Sequence, residues 1–246
     1  MKNRAFWMCL GIVLLNGCCA SHTTLSTAVI QDEASNPSAY PPPERLVTEI
    51  IAFEAQDQTE PPPHGAIVCV GSSSIRGWHS TIQEDLAPLT IIPRGFGGST
   101  MNDAVYYTER IVTVYEPRAV VLYEGDNDIW LGISPQQVAE RFAVFVTKIH
   151  EALPDTRIYV LSIKPSIARW EVWPQMKEAN RLIEKACLSD VLLTYTDVSS
   201  AMLDETGQPR REIFQPDMLH LNESGYAIWK AALLPVLLEK ESPSAD

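Results

Sequence analysis

Residues 66–76 read Ala-Ile-Val-Cys-Val-Gly-Ser-Ser-Ser-Ile-Arg, an apolar run that passes through a glycine into three serines. Consecutive apolar residues rich in β-branched side chains are typical of a strand buried on both faces. Glycine lets the chain turn sharply off the strand, and a serine on that turn can project its hydroxyl above the sheet. The turn alone fits a helix cap as well as a nucleophile. A phosphate-binding loop is disfavoured, because the glycine–lysine pattern of a P-loop is missing.

Four further apolar runs of strand length follow, separated by stretches of helical periodicity. This alternation predicts an α/β fold, a flavodoxin-like three-layer α/β/α sandwich with a five-stranded parallel sheet. In such sheets ligands bind beyond the carboxyl ends of the strands, so we expect the chemistry in the loops that follow them. The expected strands are 66–70, 90–92, 119–123, 157–163 and 191–195, and the expected helices are 44–56, 102–115, 135–153, 175–188 and 223–240, the last capped by Asn222.

Two of these loops carry groups that could stabilise a developing oxyanion. The glycine-rich turn 94–100 follows the second strand and could offer backbone N–H groups, although a need for positive φ would equally explain its glycines. The loop 124–128 follows the third strand and reads Glu-Gly-Asp-Asn-Asp, where the asparagine could supply a further donor. Its aspartates, Asp126 and Asp128, are expected as turn residues or helix caps, because a hard-cation site usually needs more carboxylates.

A carboxylate and an imidazole occur three residues apart just before the final helix, at Asp217 and His220. At this spacing the carboxylate can bond Nδ1, which leaves Nε2 able to accept a proton. The pair is frequent by chance and is weak support for catalysis by itself. His79 is close to the serines in sequence, but no carboxylate is placed to serve it, so we expect it to be a poorer base.

Taken together and in this order, the four blocks resemble those of the SGNH hydrolase superfamily, also called GDSL esterases and lipases. The resemblance covers about residues 44–238 and is close to bacterial members with a Gly-Ser-Ser-Ser-Ile-Arg block. It implies that Ser73 is the nucleophile, completed as a triad by Asp217 and His220. It also implies an oxyanion hole made by the backbone N–H groups of Ser73 and Gly98 and by the side chain of Asn127.

The sequence departs from the superfamily at one position of the first block. Ser72 stands where aspartate is usual. That aspartate is not the nucleophile, so the chemistry should survive, but the hydrogen bonds that shape the turn will differ. The pattern alone also leaves Ser72 and Ser74 open as nucleophiles, and only alignment with the superfamily favours the middle serine.

The resemblance implies a serine esterase that needs neither metal nor cofactor. Its expected substrates are small-molecule or glycan esters with short acyl or acetyl groups, and the molecule that carries the acyl group could be a carbohydrate or a lipid. Trp130, Lys164 and Arg169 follow strand ends, where members of the superfamily often place substrate contacts, and they are expected to contact the substrate. Packing of a helix start against the sheet would equally explain Trp130. An alternative is a surface-anchored, non-catalytic binding protein on the same scaffold, which would be expected to have lost a member of the triad.

Charge and cysteine content narrow the remaining possibilities. The net charge of −12 disfavours a nucleic-acid partner, because binding phosphates needs a basic surface. The five cysteines are too few and too scattered for a disulfide framework. Cys69 and Cys187 are expected as buried apolar residues and not as a disulfide.

The N-terminal residues are expected to direct export. Residues 1–17 combine two basic residues with a short apolar stretch and are interpreted as a signal peptide of the lipoprotein type. The run 15–18 resembles a lipobox ending in Cys18, which would be lipidated, although Asn16 is not the usual small residue there. The protein would then face the periplasm or the exterior, attached to a bacterial membrane only through its lipid. Cleavage after Ala20 would instead release a soluble secreted protein.

The remaining organisation follows from composition. Residues 18–43 are rich in small and polar residues and in proline, and are expected to form a flexible tether. Residues 44–240 are expected to form the hydrolase domain, and residues 241–246 a disordered tail.

Overall fold

The computed structural model describes residues 40–241, all within the unit Ala34–Asp246. The expected signal peptide, the lipidation site at Cys18 and most of the expected tether lie outside the described residues. Among the described residues no helix is both long and apolar enough to cross a membrane. The strands are β1 (Ile67–Gly71), β2 (Ile91–Gly95), β3 (Ala119–Tyr123), β4 (Arg157–Leu161) and β5 (Leu193–Thr196). The α-helices are α1 (Val47–Thr59), α2 (Ser73–Trp78), α3 (Ile82–Asp85), α4 (Met101–Ile111), α5 (Asp126–Trp130), α6 (Pro135–Ala152), α7 (Trp173–Cys187) and α8 (Glu223–Glu241).

The strands form one parallel sheet in the order β2-β1-β3-β4-β5, which confirms the expected fold. Gly71, the last residue of β1, is in register with Gly95 of β2 and Tyr123 of β3. The loops that follow these three strands therefore start at the same edge of the sheet. β2 runs three residues past its expected end at 92 and includes Pro93, which is tolerated because β2 is an edge strand.

Two apolar clusters cover the two faces of the sheet, because side chains alternate along each strand. Val68 and Val70 of β1 belong to the cluster that also contains residues of α1, α4, α6 and α7. Ile67 and Cys69 belong to the cluster formed with α2, α3 and α8. Cys69 and Cys187 are buried free thiols in different clusters, as expected for apolar residues and not a disulfide.

The fold begins and ends at slightly different residues from those expected. Tyr40, placed in the tether by the sequence, is only 6% exposed and packs in the core, and a 3-10 helix starts at Pro43. Glu241, placed in the tail, ends α8 and is buried. Its carboxylate accepts hydrogen bonds from Arg157 (2.5 and 2.7 Å) and from the hydroxyl of Tyr159 (2.5 Å). Burial and pairing partners outside each segment, which its composition does not show, fix the positions of these two residues.

Candidate active site

The three serines start α2, a helix too short for its periodicity to be recognised in the sequence. Gly71 precedes them because β1 and β3 approach closely here, and a Cβ at that position would lie 2.3 Å from the carbonyl oxygen of Tyr123. Ser72 and Ser74 are each only 2% exposed, whereas Ser73 is half-buried. Ser73 is therefore the member of the run that opens toward solvent.

His220 lies beside Ser73 although 147 residues separate them in the chain. Nε2 of His220 is 2.9 Å from Oγ of Ser73, and Nδ1 is 2.6 Å from Oδ2 of Asp217. The other carboxylate oxygen of Asp217 accepts the backbone N–H groups of Leu219 and His220, each at 3.0 Å. Partial burial opposes ionisation of Asp217, but these hydrogen bonds lower its pKa to about 2, so the carboxylate stays charged at neutral pH.

The turn that carries Asp217 and His220 is held by its neighbours. Met218 has a positive φ of 60°, and its carbonyl oxygen accepts the N–H of Ala168, in the loop after β4, at 3.0 Å. The carbonyl oxygen of His220 accepts the N–H of Gln215 at 2.8 Å. Asn222 accepts the N–H of Gly225 at 3.2 Å and so caps α8 as expected. The backbone of the turn, and with it the position of His220, is thus held on both sides.

The glycine-rich turn after β2 is tied to the loop after β3. Gly98 has a φ of +78°, which favours glycine. The next residue, Ser99, is buried, and its hydroxyl donates to Oε1 of Glu124 at 2.5 Å. Its carbonyl oxygen accepts Nδ2 of Asn127 at 2.8 Å. A side-chain amide carries two hydrogens, so Asn127 keeps one N–H to donate elsewhere.

A buried ion cluster fixes the position of Asn127. Oδ1 of Asn127 accepts Nη1 of Arg169 at 3.0 Å, and the same nitrogen donates to Asp126 at 2.6 Å. Nζ of Lys164 donates to the other oxygen of Asp126 at 2.8 Å. Burial opposes ionisation of Asp126, but the charges of Lys164 and Arg169 lower its pKa. Through Arg169, Asp126 therefore holds the side chain of Asn127 in position. This differs from the role of turn residue or helix cap that was expected for Asp126.

Of the three residues expected to contact the substrate, Lys164 differs from Trp130 and Arg169. Lys164 is only 1% exposed and paired with Asp126, so this arrangement offers it no direct contact with a substrate. The sequence could not show this, because a lysine after a strand end looks exposed. Trp130 is 45% exposed, and the guanidinium carbon of Arg169 lies over its ring, 5.3 Å from the ring centroid. Trp130 and Arg169 therefore stand next to Asn127.

Two further carboxyl groups are buried beneath the loops. Glu124 is 1% exposed, and burial, together with nearby Asp128, raises its pKa well above the usual range. Burial also raises the pKa of Asp128 to about 7, and its carboxyl group accepts the N–H of Met101 at the start of α4. Asp128 lies in α5 but caps the N-terminus of α4. Among residues 40–241 no three His, Cys, Asp or Glu side chains are grouped to hold a metal ion.

His79 has a structural partner. Its Nε2 accepts the backbone N–H of Gly95 at 2.9 Å, and burial lowers its pKa to about 4. A ring that is neutral and engaged with the end of β2 is consistent with the expectation that His79 is a poor base.

A small cavity of about 230 Å³ opens beside Ser73 and His220. It is also lined by Arg76, Gly77, Gln215 and Tyr226. None of the last three was singled out by the sequence, because nothing in their local pattern marks them as neighbours of Ser73.

Solved structures with the same fold come from several bacteria. A GDSL-like lipase from Bacteroides thetaiotaomicron VPI-5482 is 18% identical with a TM-score of 0.63, covering 80% of this chain and 97% of that one. A protein from Streptococcus pneumonia described as a possible platelet activating factor is 19% identical with a TM-score of 0.69, covering 79% and 93%. An acetylxylan esterase from Geobacillus stearothermophilus is 12% identical with a TM-score of 0.58, covering 71% and 94%. At these identities the likeness shows the fold.

Sequence comparison identifies the family. No curated protein sequence matches this chain. The sequence pattern of the GDSL-like Lipase/Acylhydrolase family matches residues 63–228, which is more than half of the chain and runs from before β1 into α8. With its parallel sheet and with Ser73, Asp217 and His220 brought together at one edge, the chain belongs to the GDSL-like lipase/acylhydrolase family.

Proposed function

We propose that this protein is a serine esterase that hydrolyses carboxylic esters through an acyl-enzyme on Ser73. The observation that carries the proposal is the chain of contacts from Oγ of Ser73 to His220 (2.9 Å) and from His220 to Asp217 (2.6 Å). A hydroxyl is a weak nucleophile until a base removes its proton, and an ionised carboxylate on Nδ1 fixes the imidazole tautomer that can do so.

The mechanism follows from these contacts. His220 takes the proton of Ser73 as Oγ attacks the ester carbonyl carbon. The backbone N–H groups of Ser73 and Gly98 and the second N–H of Asn127 stabilise the oxyanion. His220 then returns the proton to the alcohol oxygen as the acyl–oxygen bond breaks, and the alcohol leaves. Water, activated by His220, hydrolyses the acyl-enzyme and restores the hydroxyl of Ser73.

The substrates proposed are esters of short acyl or acetyl groups. Support comes from the similar structures, of which one is an acetylxylan esterase, an enzyme named for acetyl esters on a sugar polymer. Trp130, which lies against Arg169 beside Asn127, offers an aromatic surface on that side of the oxyanion donors.

Serine substitutions test the proposal directly. Ser73→Ala should lower kcat for 4-nitrophenyl acetate by a factor of at least about 10³, because the nucleophile is lost. Ser72→Ala and Ser74→Ala are matched controls from the same run and should keep turnover. A fluorophosphonate probe should modify Ser73, as mapped by mass spectrometry. Full activity of Ser73→Ala would refute the assignment, and a folded wild-type protein without turnover would favour the non-catalytic binding protein.

We also propose that the protein is exported and attached to a bacterial membrane through a lipid on Cys18. The support is the signal-like composition of residues 1–17, which lie outside the described part of the structure.

A further inference from the structure

The segment before β1 contacts the glycine-rich turn that is expected to hold an oxyanion donor. The family pattern begins at residue 63, so the first 3-10 helix and α1 lie before it. Arg45 in the 3-10 helix and Glu49 in α1 both reach the turn 94–100. Each of these two side chains binds a different backbone group of the turn.

The N–H of Gly98 belongs to the peptide unit that joins Gly97 to Gly98. Among residues 40–241 this N–H donates to no protein group, so it can donate to a substrate. Neither glycine has a side chain that could hold this peptide unit, and a Cβ on Gly98 would meet no atom within 4 Å. The position of the N–H therefore depends on the backbone on either side of it.

The backbone on both sides is held by the segment before β1. On one side, Oε2 of Glu49 accepts the N–H of Gly97 at 3.2 Å. On the other side, the carbonyl oxygen of Gly98 accepts Nη2 of Arg45 at 3.2 Å. These two bonds hold both ends of the peptide unit that carries the donor, and because that unit is planar they limit where its N–H can lie.

Arg45 is itself anchored by a buried carboxylate. Its Nη1 and Nη2 donate to the two oxygens of Asp103 at 2.7 and 2.6 Å. Asp103 is fully buried, and its carboxylate also accepts the N–H and the hydroxyl of Thr100 at 2.8 and 2.7 Å. A bidentate pair between guanidinium and carboxylate has a defined geometry, so the nitrogen that binds Gly98 is held in place.

Glu49 links the turn to the helix of the nucleophile. Its carboxylate also accepts Nη1 of Arg76, in α2, at 3.1 and 3.3 Å. Ser73 begins α2, and the side chain of Arg76 lies close against the turn, since a Cβ on Gly97 would be 2.7 Å from Nη1 of Arg76. One carboxylate therefore contacts both the helix that presents Ser73 and the turn that presents the N–H of Gly98.

Resting on the proposed function, we propose that Arg45 and Glu49 are positioning residues that place the N–H of Gly98 for the oxyanion. Neither side chain lines the small cavity beside Ser73, and each acts through the backbone of the turn. The oxyanion forms only as the reaction proceeds, so loss of either residue should lower kcat and leave KM nearly unchanged. The reaction then depends on a segment that precedes the four blocks of the superfamily.

Glu49→Ala tests this role, with Glu54→Ala as its matched control. Glu54 is a second α1 carboxylate, but it pairs with Arg110 of α4 and not with the turn. We expect Glu49→Ala to lower kcat for 4-nitrophenyl acetate about 10–10²-fold with little change in KM, because misplacement of a catalytic group costs up to about 10²-fold. Glu54→Ala should keep the kcat of the wild type. Glu49→Gln retains an oxygen that can accept the N–H of Gly97 and should recover most of kcat.

A transition-state analogue separates positioning from folding. A trifluoromethyl ketone forms a tetrahedral adduct with Ser73, and the oxyanion of this adduct binds the same donors as the oxyanion of the reaction. Its inhibition constant should rise in Glu49→Ala by about the factor by which kcat falls. Loss of folded protein would lower kcat alone, because the molecules that stay folded keep their affinity. Arg45→Met should give the same pattern, with Arg110→Met as its control.

The outcomes separate the two proposals. An unchanged inhibition constant in Glu49→Ala would overturn the positioning role, as would a kcat equal to that of Glu54→Ala. Glu49→Gln as slow as Glu49→Ala would also overturn it, because the charge beside Arg76 would then matter and not the bond to Gly97. In these cases the serine mechanism stands if wild-type turnover depends on Ser73. Turnover that survives Ser73→Ala would instead refute the proposed function, and the positioning role with it.

Discussion

Replacing Glu124 with glutamine should change how the stability of the protein depends on pH. Glu124 is 1% exposed, and its Oε2 has no hydrogen-bond partner among the described residues. Burial raises the pKa of Glu124 well above its usual value of 4.5, and the nearby carboxyl group of Asp128 raises it further. The folded protein therefore holds this proton up to a higher pH than the unfolded chain does.

The pH dependence of the free energy of unfolding follows from the difference in bound protons between the folded and unfolded states. Because the folded state binds one more proton, the free energy of unfolding falls by about 1.4 kcal/mol for each pH unit above the unfolded pKa. As long as the folded state keeps this proton, the loss between pH 5 and pH 7 reaches about 2.7 kcal/mol, and a glutamine, which has no proton to release, does not undergo it. The extra buried N–H of glutamine costs about 1–3 kcal/mol, but that cost does not depend on pH. Relative to wild type, Glu124→Gln should therefore gain stability steadily from pH 5 to pH 7.

Urea denaturation at pH 5, 6 and 7 measures this difference. Glu239→Gln, an exposed change on α8, is the matched control and should show no comparable trend. The quantity of interest is the free energy of unfolding of each variant minus that of wild type. If this difference for Glu124→Gln were the same at all three pH values, Glu124 would be ionised in the folded protein and the reasoning would fail.

Four other substitutions test the remaining parts of the site and the anchor. Asn127→Ala should lower kcat about 10²–10³-fold with little change in KM, because one oxyanion donor is lost; an unchanged kcat in steady-state kinetics would remove Asn127 from the mechanism. His79→Gln should keep ester turnover within a few-fold in the same assay, since the side chain of His79 accepts the backbone N–H of Gly95 and is not part of the triad; an inactive but folded variant would contradict this. Lys164→Met should lower the free energy of unfolding by about 3–5 kcal/mol in urea titrations, because it leaves Asp126 buried with less compensation; a change below about 1 kcal/mol would show that Arg169 suffices. Cys18→Ser should release the protein from the membrane fraction of a bacterial host, as judged by immunoblot, and continued membrane association would argue against lipidation.

The sequence predicted the centre of the sheet well because β1 and β3 are buried along their whole length, on both faces. Runs such as 119–123 are apolar throughout, and the structure places a strand over the same residues, Ala119–Tyr123. The end of β2 was less predictable, because Arg94 reads as polar although it is buried and bonds Tyr115 and Asp57. Tyr115 and Asp57 are distant from Arg94 in the sequence, so no local pattern predicts these contacts.

The same distinction applies to the site. The contact between Asp217 and His220 depends on three residues of chain and could be anticipated from spacing. The burial of Glu124 and Lys164 could not, because it depends on how the loops after β2, β3 and β4 pack together. Local patterns in the sequence therefore mark the residues that can take part in the reaction. The residues that hold them in place are marked only by their packing.

The two side-chain contacts of His220 differ greatly in the number of residues between the partners. His220 and Asp217 meet within one turn, but His220 and Ser73 are separated by 147 residues. Contacts between distant residues carry a larger loop-closure entropy and are characteristic of slower folding steps. The Asp217–His220 pair can therefore form early, while the serine becomes reactive only once α8 has docked on the face of the sheet that carries α2. Recovery of ester turnover during refolding would then report the arrival of the last helix rather than the formation of the sheet.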